Sequence, residues 1–175
     1  YESGPVAETG FTFVEVPFSE VYFARYSTAH VNFAGEGPKA FTEFVSGTIS
    51  FPPREAPINL ATSVPSSSVE GSDKIQIPAA GSFSFDLDPE TNPQNVASTQ
   101  IRYVVRNEDA QVVAEDNVLV LSTPPVTVGS VGTFSVTYKA AHQNVFGQLG
   151  PCSPETAPAE ELVVLEAGVG AGKGL

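Results

Sequence analysis

Alternation with a period of two governs the second half of this chain. Phe83, Phe85 and Leu87 alternate with Ser84, Asp86 and Asp88; Ile101, Tyr103 and Val105 with Arg102, Val104 and Arg106. Phe134, Val136, Tyr138 and Ala140 alternate with Thr133, Ser135, Thr137 and Lys139. Successive side chains of a strand point to opposite faces, so this pattern predicts strands with one face in a core. The residue types agree. Val, Phe, Ile, Tyr and Thr dominate the patterned runs, Met and Trp are absent, and branched and aromatic side chains suit a pleated surface.

Earlier runs read the same way. Strands are expected over residues 11–18, 21–33 and 41–51. Phe41, Val45, Ile49 and Phe51 share one face, and Val21, Phe23, Val31 and Phe33 share another that Arg25 and Ser27 interrupt, which suggests a bulge or a bent strand. Short strands are expected at 58–63 and 74–77, amid prolines 52, 53, 57, 65 and 78. Asn107 to Ala110 reads as a hairpin turn into 111–115, and 118–121 as a strand buried on both faces. A last strand falls at 162–165. Fifteen glycines and fifteen prolines supply the turns, and less than about a tenth of the chain is expected to be helical, against roughly a third in globular proteins.

The expectation is thus an all-β, antiparallel β-sandwich, immunoglobulin-like or jelly-roll-like, with an N-terminal strand arm. The chain reads as one domain, 1–175, with a flexible start (1–10) and a glycine-rich tail (168–175). The alternative is a split into N-terminal strands (1–51) and a second unit (82–165). A hydrophobic content of 41% is ample for a core. The core residues are expected to be Phe83, Phe85, Ile101, Tyr103, Val105, Phe134, Val136 and Tyr138.

Residues 82–165 resemble a fibronectin type III or related immunoglobulin-like sandwich. The resemblance rests on the strand IRYVV, its hairpin RNEDAQVV, and the segment GTFSVTYKAAHQNVFGQLGPCSP, which is similar to the penultimate strand and following loop of such modules. It departs from them in lacking the tryptophan of the second strand, near whose place Phe85 stands. It implies the fold; ligand preference does not travel with a sandwich that hosts many functions.

Charge excludes some functions. Eight basic against twenty acidic residues give a net charge of −12, the wrong sign for neutralising phosphate or approaching an anionic membrane. No apolar run approaches the ~20 residues that span a bilayer. Charged residues are only 16%, leaving a hydroxyl-rich surface that suits secreted or virion-surface proteins. A cleaved leader or a trimmed chain would explain the start at Tyr1. Cys152, the single cysteine, has no internal partner and is a spectator or an intermolecular thiol.

Catalytic patterns are not found. Ala167 stands where the first glycine of a phosphate loop must be, and Gly174 where its Ser or Thr must be. His30 and His142 lack a Gly-x-Ser-x-Gly partner and read as surface or structural residues. Asp86, Asp88, Glu90 and Asn92 place oxygen ligands at every second position, as in the start of a calcium loop. Thr91 replaces the turn glycine and Ala97 the closing glutamate, which excludes an EF-hand. Two readings stand: a simpler calcium site at a sandwich pole, or solvated strand-end carboxylates. No other cofactor is expected. Tyr22 and Tyr26, on the polar side of their strand, suit an interface or a sugar platform.

The expected function is a non-catalytic structural subunit of an extracellular filament, pilus-like thread or surface assembly. The partner is another copy of the chain, as homo-oligomer or homopolymer, without nucleic acid or membrane span. Phe11, Phe13, Val14, Val16 and Phe18 put apolar groups on both faces of a first strand, so residues 8–18 are expected to be donated to a neighbour as a subunit interface. The alternatives are a phage or virus virion-surface or tail protein and a secreted carbohydrate- or protein-binding module.

Overall fold

Six short strands in the first third of the chain build a single hairpin, and ten more build a two-layered body. The structure is a computed structural model that describes residues 14–157 and 162–164. Strands β1 (Glu20–Ala24), β2 (Ser27–Thr28), β3 (Val31–Asn32), β4 (Gly35–Glu36), β5 (Ala40–Phe41) and β6 (Val45–Ile49) pair as β1 with β6, β2 with β5 and β3 with β4, all antiparallel. These nested pairs make one interrupted hairpin arm from Glu20 to Ile49. The body holds β7 (Ile58–Thr62), β8 (Ser67–Ser68), β9 (Lys74–Gln76), β10 (Phe83–Asp86), β11 (Ser98–Asn107), β12 (Val112–Asn117), β13 (Val126–Thr127), β14 (Gly132–Gln143), β15 (Leu149–Cys152) and β16 (Leu162–Val164). With 47% strand and 4% helix among the described residues, the protein is nearly all β, in antiparallel sheets. Among those residues the helical ones form two single 3-10 turns, Ala80–Ser82 and Pro93–Asn95.

The body's main sheet runs β12-β11-β14-β15, with β16 also paired to β14. Its spine is a ten-residue ladder between β11 and β14, from Ser98↔Gln143 to Asn107↔Phe134. This register puts Ile101 beside Ala140, Tyr103 beside Tyr138 and Val105 beside Val136, on one face. All six are buried, with Phe134 at 2% exposure. The second layer comprises β7 with β10, and β8-β9-β13. Ile75 and Ile77 come from it fully buried, while Leu60, Phe83, Val126 and Val128 pack around them. Phe83 meets Tyr138 edge-on, ring centroids 4.7 Å apart, a preferred aromatic geometry.

The outer face of the sheet sets Arg102 opposite Lys139, two like charges that would repel. Glu115 of β12 stands between them, 2.8 Å from the Lys139 ammonium and 3.8 Å from the Arg102 guanidinium. Their pull holds the Glu115 carboxyl below its usual range.

Several expectations change. Residues 14–19 contribute no strand: Pro17–Ser19 bend, and the Pro17 carbonyl and the Ser19 amide are engaged by Asn92 and Asn95 of the body. Phe85 does not join the core. It is half-buried on the same face as Phe83 but beyond the apolar cluster, against the buried His142, with ring centroids 6.0 Å apart. Residues 118–121 are not a two-faced buried strand: Val118 is buried, but Leu119, Val120 and Leu121 are exposed. The ladder with β11 ends at Val118, and the Leu119 amide and carbonyl turn to the Thr123 hydroxyl and the Ala80 amide.

Candidate functional site

The arm is where apolar sequence fails to become core. From Glu20 to Ser50 no residue is buried. In the β1–β6 register Val21 pairs with Thr48 and Phe23 with Ser46, so these four share one face; Tyr22, Val45 and Ile49 lie on the other. The alternation read from sequence is therefore present, yet neither face is covered. Phe23 is 68% exposed, Val31 75% and Val45 69%. At the tip Asn32 pairs with Gly35 around a two-residue loop, in which the Asn32 side chain accepts the Ala34 amide at 2.8 Å. Phe33 occupies that loop fully exposed, a position usually given to Asn or Gly. Arg25 lies over the rings of Phe41 and Phe44, 4.2 and 4.8 Å from their centroids.

A buried polar clamp fixes the base of the arm to the body. The Ser19 hydroxyl donates to the Phe51 carbonyl at 2.8 Å and accepts from the Phe51 amide at 2.9 Å, closing the hairpin's two ends on each other. The Asn95 side chain accepts the Ser19 amide at 3.0 Å. The Asn144 amide group donates to the Ser19 hydroxyl, the Phe51 carbonyl and the Gln148 side chain, while its oxygen accepts the Phe146 and Gln148 amides. Ser50 also bonds the Gln148 side chain. Asn92 donates to the Pro17 carbonyl at 2.7 Å. Ser19, Asn95 and Asn144 are all buried. Buried polar groups satisfied this fully hold one geometry, so the arm leaves the body at a set place. Nearby, a Cβ on Gly150 would lie 2.5 Å from the Pro53 carbonyl oxygen, so the chain entering the body packs directly on β15.

The residues expected to form an interface fall partly elsewhere. Phe11 and Phe13 lie outside the described residues. Val14 is exposed, while Val16 and Phe18 are half-buried. Phe18 is held within its own chain, its carbonyl accepting the Tyr22 hydroxyl at 2.6 Å. Sequence reading expected the subunit interface at 11–18 and read 21–33 and 41–51 as strand runs. The signal that would have found the arm is their separation: residues 21–49 are flanked by Pro17 on one side and Pro52-Pro53 on the other.

The oxygen ligands Asp86, Asp88, Glu90 and Asn92 sit at the end of β10 and the turn after it. Asp86 accepts from Asn59 at 2.8 Å, Asp88 accepts the Glu90 amide at 2.8 Å, and Asn92 caps the 3-10 turn through the Gln94 amide. Among the described residues, no group of three or more His, Cys, Asp or Glu side chains is arranged to hold a metal ion. His142 is wholly buried, its Nδ1 2.8 Å from the Thr99 hydroxyl and its Nε2 without a hydrogen-bond partner. Burial pushes its pKa down. Cys152 is an exposed free thiol. No helix among the described residues is long and apolar enough to cross a membrane.

No family model matches the chain, and no curated protein is similar to it. The antiparallel all-β architecture is compatible with a β-sandwich, and no family or relative identifies residues 82–165 as a fibronectin type III or immunoglobulin-like module.

Proposed function

We propose that the protein is a non-catalytic structural subunit of an extracellular filament, pilus-like thread or surface assembly, joined to its neighbours through the hairpin arm. The observation that carries this reading is the uncovered apolar surface of residues 20–49. Tyr26, Phe23, Phe33, Phe41 and Phe44 are 52–107% exposed. At about 150–250 Å² per aromatic side chain, these five rings alone present roughly 500–900 Å². The largest apolar patch on a typical monomer is about 300–600 Å². A standard interface takes about 800 Å² from each partner. Summed over both faces and the tip, this exposed aromatic area is comparable to what one partner contributes to a standard interface.

The low-charge, hydroxyl-rich composition supports an extracellular or surface setting. Donation of residues 8–18 to a neighbour stays a proposal beside the arm, restricted by the clamp to the part before Pro17. The test is light scattering and electron microscopy on the full chain and on a variant in which Gly-Gly joins Ser19 to Ser50. The full chain is expected to assemble and the armless variant to stay a folded monomer. A full chain that remains monomeric at high concentration would overturn the reading.

A further inference from the structure

We infer that the occupant of the arm is the arm of a second copy, the two hairpins packing on one another rather than on a neighbour's body. This rests on the assembly reading above and names the partner surface. Three features carry it.

The first is charge. Glu20, Glu36 and Glu43 against Arg25 and Lys39 leave the arm at −1 of the chain's −12. The remaining charge sits outside the arm, so two copies brought body to body repel. Thirteen residues separate the base from the tip, a reach of up to roughly 40 Å at about 3.3 Å per residue. Charges are screened over about 8 Å at physiological ionic strength. Arms overlapping in opposite directions set the two least charged surfaces of the chain against each other with the acidic bodies held at arm's length, whereas an arm laid on a body sets it against an acidic surface.

The second is stability. An isolated two-stranded ribbon is marginal in water, and it becomes stable when another layer covers an apolar face. The β1–β6 ribbon is such a two-stranded sheet, with neither edge paired among the described residues and no buried residue. A second ribbon of the same composition supplies the missing layer. The clamp at Ser19, Asn95 and Asn144 holds the base while leaving both faces open.

The third is that the faces are both apolar: Val21 and Phe23 on one, Tyr22, Val45 and Ile49 on the other. Contact through one face leaves the other for a further copy, so face-to-face packing continues beyond a dimer.

Mixing full-length chains with tagged armless chains separates the outcomes. The core contains no arm residue, and Ser19 and Phe51 already bond each other across the cut, so the armless body is expected to fold. Arm-to-arm packing predicts that full-length chains associate while armless chains stay out of the assembly. Phe23→Ser, at an exposed site that leaves the body intact, should weaken association by about tenfold or more. Incorporation of armless chains would mean that the arm docks on a body, overturning this inference while leaving the assembly reading in place. A full chain that stays monomeric overturns both. So does a monomer that floats with phosphatidylcholine vesicles, which would make lipid the arm's occupant.

Discussion

Asn144 donates to the Phe51 carbonyl at 2.8 Å, across 93 positions of sequence. With its other bonds, this one side chain ties the β14–β15 turn to both ends of the arm. Asn144→Ala leaves the Phe146 and Gln148 amides without their side-chain acceptor, while the Ser19 hydroxyl and the Phe51 carbonyl each lose one partner and keep the bond between them. Such a loss costs about 1–3 kcal/mol per stranded group, partly recovered by water. Chemical denaturation should show a loss of about 2–3 kcal/mol. Proteolysis of the arm base should accelerate in parallel, and an unchanged midpoint would mean that the clamp does not secure the arm.

Phe134 and Phe33 are the same residue type with opposite burial, 2% against 107% exposed. Phe134→Ala should destabilise the body by about 3–5 kcal/mol through lost transfer energy and the cavity left behind. Phe33→Ser should leave the stability of a dilute monomer within about 0.5 kcal/mol, as surface substitutions do. Equal effects from the two would place Phe33 in a core.

Six of the eight expected core residues were legible because apolar side chains recur at every second position along β11 and β14. Phe83 proved half-buried against that core. Phe85 falls outside the cluster because its place on that face is against His142, and the alternation of one strand does not say what each position meets. The same limit hid the arm. Val21, Phe23, Val45 and Ile49 have the periodicity of a core strand, and periodicity says which side chains share a face without saying what covers it. The clamp was invisible for another reason: Ser19, Asn95 and Asn144 are ordinary turn residues until the fold brings them together.

His142 should make stability fall as the solution is acidified from neutrality. Burial lowers its folded pKa below the ordinary 6.5, and no partner for Nε2 offsets the cost of charging it. Below about pH 6.5 the unfolded chain takes up a proton that the folded chain resists, so stability is lost as pH falls from 6.5 toward the folded value. His142→Gln should flatten this part of the profile. His30, the other histidine, is exposed and serves as the control. A slope that vanishes with His30→Gln and persists with His142→Gln would reverse the assignment.

Glu155 should govern a second, more acidic window. Its carboxylate accepts two bonds from Arg106, at 2.6 and 2.9 Å, and one from the Thr137 hydroxyl at 2.7 Å. These bonds hold its pKa down to about 2 from the ordinary 4.5. The next residue, Thr156, donates its amide to the Tyr138 carbonyl and accepts the Tyr138 amide on its hydroxyl, so Glu155 fastens the segment after β15 along β14. A carboxyl with a lowered folded pKa contributes its full stability above about pH 4.5 and loses it as pH falls toward 2. The Arg106 and Glu155 side chains are 26% and 34% exposed, so solvent screening reduces the contribution to about 1 kcal/mol. Glu155→Gln should therefore be less stable than the native chain by about 1 kcal/mol at pH 7, and the gap should close between pH 4.5 and 2 in paired denaturation series. A gap that stays constant through that window would mean that packing, rather than the charge on Glu155, holds the segment.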